Sequence, residues 1–220
     1  MRNLAIASIA TVLLAGCAYQ GGDMGDPLNR KVGWFSYVGG DDIRAQCQPG
    51  TPDRFRLVYN GVYERQLRMY ELDSLRHVLS VKVTRPGNVA RLSSDDLLAP
   101  WRAVDQKVQL DASSYDKLVA DMDKAGMFGP PAVGRELPSH GYHWSAAACK
   151  GGQFHFTGWV WPDAGFETLP FAADLFGLDP TGIAVAQPGP IPFDPQYDAK
   201  ARRGEVSEFK LKVGRDGLVR

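Results

Sequence analysis

The 220-residue chain reads as an α+β domain: a mostly antiparallel sheet of hairpins with two packed helices. Three observations lead to that class. Short runs alternate apolar and polar residues, as half-buried strands do. The pair Asn60-Gly61 and the run Cys149-Lys150-Gly151-Gly152 sit between such segments as hairpin connections. Two later segments carry apolar residues at helical spacing, with a capping residue before and a glycine after. At 44% hydrophobic the chain can build a core, and 25 basic against 25 acidic side chains exclude the basic excess that a nucleic-acid binder needs.

At the start, one positive charge at Arg2 precedes an apolar run, Leu4 to Leu13, and then Leu14-Ala15-Gly16-Cys17. The run is shorter than the roughly 20 residues that a spanning helix needs, so residues 1–16 are expected to be a secretion signal. The quartet resembles the lipobox of bacterial lipoproteins at all four positions. That resemblance implies cleavage before Cys17, lipid on the Cys17 sulfur, and a membrane partner reached through acyl chains. Ala18 follows where an Asp would resemble an inner-membrane retention signal, so the expected location is the outer membrane, facing the periplasm. Residues 17–30 are short of apolar bulk and rich in Gly and Asp, and read as a tether lifting the domain roughly 20 Å off the headgroups.

The globular domain is expected over 31–187. Phe55-Arg56-Leu57-Val58-Tyr59 alternates as a strand before Asn60-Gly61. A three-residue loop, Tyr59-Asn60-Gly61 with Gly61 left-handed, is preferred over a two-residue one because it keeps Leu67 and Met69 on the Phe55 face. Residues 63–72 also suit a helix by composition. Leu79, Val81 and Val83 alternate with polar residues until Pro86-Gly87, and Val104 to Leu110 is a weaker strand. A helix then follows with Ser113 as cap, Tyr115, Leu118, Val119 and Met122 as its stripe, and Gly126 as its stop. The second hairpin runs from Tyr142 around Cys149-Lys150-Gly151-Gly152 to Trp161, where Pro162 closes it. A shorter helix takes Thr168 as cap and Pro170 in its first turn, with Leu169, Ala172, Ala173 and Phe176 on its apolar side. Residues 188–220 read as a proline-rich linker and a mildly basic tail, seven basic against five acidic, in which Phe209, Leu211 and Val213 suggest a further strand.

With Cys17 committed to lipid, Cys47 and Cys149 remain, and an exported chain with two spare thiols is expected to join them.

Chemistry is sparse. The sequence holds no Gly-x-Ser-x-Gly, His-Glu-x-x-His, phosphate-binding glycine loop or Cys-x-x-Cys, so no catalytic residue is assigned and the chain reads as a binding or accessory module rather than an enzyme. Its partner would be an envelope protein or a glycan. The doublets Asp41-Asp42 and Asp95-Asp96 read as turn or cap residues, since adjacent side chains on a strand point apart. His140, His143 and His155 are the candidate metal ligands, in reach across the second hairpin with Cys149 between them. Plain hydrogen-bonding histidines are the preferred reading, and no cofactor beyond the lipid is expected. Tyr142, Trp144, Trp159 and Trp161 crowd the same hairpin and are the candidate binding residues. His155, Thr157, Trp159 and Trp161 share a face, which is either open as an aromatic platform or covered by the helices or the tail, the commoner outcome.

Overall fold

In the computed structural model residues 19–87 and 95–219 are described, so the quartet ending at Cys17 lies outside them. The fold is α+β. The main sheet is built from β1 (Arg54–Gly61), β2 (Leu67–Asp73), β3 (Val78–Val83), β4 (Val104–Gln109), β6 (Tyr142–Lys150) and β7 (Gln153–Val160) in the order β4-β3-β2-β1-β6-β7. Every neighbouring pair is antiparallel. A smaller sheet joins β5 (Glu136–Pro138), β8 (Lys210–Val213) and β9 (Leu218–Val219). Around them stand α1 (Pro27–Gly39), α2 (Asp41–Gln46), α3 (Ala112–Lys124), α4 (Pro170–Gly177) and α5 (Pro195–Arg202), so α3 and α4 are the two expected helices and three more join them.

Both faces of the main sheet are covered. On one, Phe55, Leu57, Tyr59, Tyr70, Leu72, Leu79 and Val81 pack with Trp144 under α3, α4 and the chain from Ile183 to Ile191. On the other, Val58, Leu67, Met69, Ala147 and Phe156 pack under α1, α2 and the small sheet. This double burial corrects the register of the first hairpin. Leu57 pairs with Tyr70 and Asn60 with Leu67, which puts Leu67 and Met69 on the face opposite Phe55. Residues 67–73 are a strand, and the left-handed residue of the turn is Val62 (φ 65°) rather than Gly61. When a strand is apolar on both sides, alternation cannot say which set faces which core, and a one-residue change of register exchanges them.

The stretch expected to be a tether is folded from Tyr19 onward. Met24 is buried, and Asp26 caps α1 by accepting from the amides of Leu28 (2.8 Å) and Asn29 (3.2 Å), with Pro27 as the first helical residue. Gly40, with φ 68°, ends α1 where a Cβ would stand 2.4 Å from the Ala147 side chain. The cap of α3 is Asp111, not Ser113. The Asp111 carboxylate accepts from the Ser114 amide at 2.7 Å and from the Ser113 hydroxyl at 2.8 Å. In α4 the buried residues are Phe171 and Leu175, while Ala173 is exposed and Thr168 lies in the preceding 3₁₀ turn, Phe166–Thr168. The tail is not a separate appendage. Leu211 and Val213 of β8 are buried beside Leu137, and Ile191 packs on the first core.

The second hairpin turns through Gly151 (φ 58°) and Gly152 (φ 78°), the left-handed pair that a two-residue turn demands. Cys47 and Cys149 form a disulfide with their Cα atoms 5.5 Å apart, joining the end of α2 to β6.

Candidate functional site

The structure divides the candidate residues of the second hairpin. Register places Trp144, Trp159 and His155 on the face under α4, and His143 and Cys149 on the other. Trp144 is core, 1% exposed, its ring 5.3 Å from Phe171 and 5.0 Å from Tyr59. Tyr142 is buried too. Trp159 is half-buried against Phe171 (5.1 Å), and Trp161 is half-buried with its Nε1 donating to Glu167 Oε1 at 3.1 Å. Of the two alternatives, the face is covered, fully over Trp144 and in part over Trp159 and Trp161. The physical reason is that α4 supplies Phe171 and Phe176, which remove the Trp144 ring from water and shield one side of Trp159.

The histidines do not converge, which corrects the candidate metal cluster. His143 is buried and donates from Nδ1 to the Pro138 carbonyl at 3.0 Å. Burial pushes its pKa down to about 3 against the opposing pull of that carbonyl, so it is neutral. His155 lies through the sheet on the other face, edge-on to Phe128 at 5.7 Å, and burial with the nearby Lys150 charge lowers its pKa as well. His140 precedes β6 and stacks on Tyr197 at 4.2 Å. Cys149 is oxidised. Among the described residues no group of three His, Cys, Asp or Glu side chains is placed to hold a metal.

The acidic doublets serve structure. Asp41 and Asp42 open α2, where Asp41 accepts from the Ser36 hydroxyl at 2.7 Å and Asp42 takes both ends of the buried Arg56 guanidinium at 2.7 and 2.9 Å. Burial alone would raise the Asp42 pKa, yet the hydrogen bonds and charge of Arg56, with Arg54, hold it below the usual carboxylate range. Asp96 pairs with Arg102 at 2.8 Å.

What the fold does assemble around the hairpin aromatics is a cleft of about 480 Å³ between α4, the 3₁₀ turn and the chain at 187–188. Tyr59, Trp144 and Phe176 line it, with ring centres 5.0–5.4 Å apart. Glu167, Thr168 and Gln187 add polar groups. Its outer wall is an irregular strap, residues 179–191, stitched to the sheet by side chains of β1 and β2 and the turn between them. The Tyr59 hydroxyl donates to the Ala186 carbonyl at 2.5 Å, and the Gln66 amide both donates to Ala184 O and accepts from the Ala186 N–H at 2.9 Å. The Arg68 guanidinium pairs with Asp179 and donates to Ile183 O. None of Tyr59, Gln66, Arg68, Phe166, Phe176, Asp179 or Gln187 stood out as a site residue in the sequence. The available signal was Gln66-x-Arg68, two polar side chains that alternate onto the same face as Tyr70 and Leu72.

Comparison of the chain with protein-family models, with curated proteins and with solved structures finds no match.

Proposed function

We propose that this protein is a lipid-anchored cell-envelope protein, facing the periplasm from the outer membrane, that acts as a binding module for a small ligand with a flat or apolar face. The cleft carries the binding half of this reading. Its floor offers aromatic rings held rigid by the sheet, its rim offers Glu167, Thr168 and Gln187 for hydroxyls or a cation, and its volume of about 480 Å³ lies in the range of small-ligand sites. Aromatic rings beside a few polar groups favour sugars and other amphipathic molecules, which stack an apolar face and hydrogen-bond at the edge. The Leu14-Ala15-Gly16-Cys17 quartet supports the anchor, and the Cys47–Cys149 bond is in keeping with export to an oxidising compartment.

Two substitutions test the halves separately. An environment-sensitive anilinonaphthalene dye should bind the wild-type chain and be displaced by cleft ligands. Ala173→Trp, at an exposed position on the cleft wall, should abolish dye binding with the melting temperature unchanged. Undiminished dye binding would remove the cleft from consideration. Cys17→Ser should release the protein from membranes and eliminate metabolic labelling with palmitate, whereas retained label would refute the anchor.

A further inference from the structure

Helix α1 is apolar on two sides. Its inner side, with Trp34, Tyr37 and Val38, is buried against the sheet. On the outer side Leu28, Val32 and Phe35, at i, i+4 and i+7, form a second stripe that is 61%, 66% and 45% exposed. A groove of about 570 Å³ runs beside it, and Trp101, 42% exposed, stands on the groove wall with its carbonyl accepting from the Arg30 guanidinium at 3.3 Å. Lys31 and Arg85 line the same groove, and neither has an ion-pair partner among the described residues. The acids on that groove are already engaged. Glu64 accepts from the Ser207 amide at 3.0 Å, and Glu205 pairs with Arg203. The surface is thus an apolar helical stripe with a tryptophan beside it and two uncompensated cations.

The point where the chain enters decides what covers this stripe. Tyr19 is fastened to the flank of α1: its amide donates to Ser36 Oγ at 2.8 Å and its ring meets Tyr37 edge-on at 5.0 Å. Cys17 is two residues away, and two residues span at most about 7 Å. A lipid on Cys17 therefore enters a bilayer beside α1, with none of the reach that a free tether of residues 17–30 would give.

We propose that α1 docks on the bilayer surface, with Leu28, Val32 and Phe35 at the boundary of headgroups and acyl chains, Trp101 at the interface, and Lys31 and Arg85 facing anionic headgroups. This arrangement is that of an interfacial amphipathic helix. Tryptophan at headgroup depth and cations toward anionic lipid are the usual companions of such a helix. The proposal rests on the anchor reading and adds to it an orientation: the sheet edge and the α4 cleft are held in a fixed pose over the membrane.

The test uses the full lipidated chain in phosphatidylethanolamine–phosphatidylglycerol vesicles, with a nitroxide on a single introduced cysteine, either Val32→Cys or Leu75→Cys. Leu75 is 75% exposed in the turn after β2, at the end of that strand away from the groove. Flotation is measured first, then relaxation of the label by oxygen and by a water-soluble nickel chelate. The expected result is a vesicle-bound protein whose Val32 label is reached by oxygen in preference to nickel, while the Leu75 label shows the reverse. A protein that floats but whose Val32 label is as accessible to nickel as the Leu75 label overturns the docked orientation and leaves the anchor standing. A protein that does not float overturns both.

Discussion

Arg68, the second residue of β2, forms an ion pair with Asp179 from 111 positions further along the chain, and both side chains are at most 3% exposed. The pair fastens the strap that walls the cleft, because the same guanidinium also holds the Ile183 carbonyl and the Gln66 side chain. Arg68→Met alone leaves a buried carboxylate unpaired and is expected to cost about 3–5 kcal/mol in urea denaturation. Replacing both partners, Arg68→Met with Asp179→Leu, should recover most of that loss of stability while still weakening dye binding in the cleft. A single substitution that costs under about 1 kcal/mol would show that the pair does not hold the strap.

The disulfide closes a long loop. Cys47 and Cys149 are 102 positions apart, and cross-linking a loop of that size stabilises by up to about 4–5 kcal/mol when reckoned as denatured-chain entropy. Reduction, or Cys47→Ala with Cys149→Ala, is expected to lower the urea midpoint accordingly. Peptide mapping under non-reducing conditions should recover the two cysteines joined, and recovery of both as alkylated free thiols would contradict the bond.

His143 makes the fold sensitive to acid. Its pKa in the folded protein is pushed down to about 3 by burial, whereas in the unfolded chain it returns to about 6.5. The unfolded state alone takes up the proton between those values. The stability associated with neutral His143 is therefore present above about pH 6.5 and is lost, at roughly 1.4 kcal/mol per pH unit, as pH falls toward 3. In His143→Asn that component of the pH dependence should vanish. The comparison is between denaturation midpoints of the two proteins from pH 7 to pH 4, and parallel curves would show that His143 does not titrate in this way.

Trp144 and Trp161 should separate core from rim. Trp144, 1% exposed among Tyr59, Phe171 and Phe176, is expected to cost about 3–5 kcal/mol on truncation to alanine. Trp161 is half-buried and tied by one hydrogen bond to Glu167, so Trp161→Ala should cost well under that. Equal melting shifts for the two would mean that Trp161 belongs to the core.

Much of the scaffold was legible because it is written in short-range patterns. Along β3, away from the second core, the alternation survives: Leu79, Val81 and Val83 are buried while Ser80 and Lys82 are half-buried. Gly151-Gly152 turns where two glycines make a left-handed pair cheapest. Helix α3 ends before Gly126 for the same reason. The site was much less legible. The Tyr59, Trp144 and Phe176 rings that line the cleft come from three elements far apart in the chain, and no spacing rule relates them. The sequence could not sort the histidines because proximity across a hairpin says nothing about face: His143 and His155 differ by an even number in sequence, yet the turn between them sends one to each side of the sheet.

By itself the sequence determined the mixed class, the strands around Phe55–Tyr59 and Leu79–Val83, the existence of the second hairpin, and which residues could carry a lipid or a disulfide, because local backbone preference and side-chain chemistry reside in neighbouring residues. Only the tertiary structure decided that the stretch expected to be a tether packs on the domain and runs into a capped helix, that β2 presents Tyr70 to one core and Met69 to the other, and that Trp144 and Trp159 lie under α4. Those outcomes depend on which surfaces meet. A sheet buried on both faces gives apolar residues the same reward on either side, so the choice between them falls to contacts such as Arg68 with Asp179 that join residues distant in the chain.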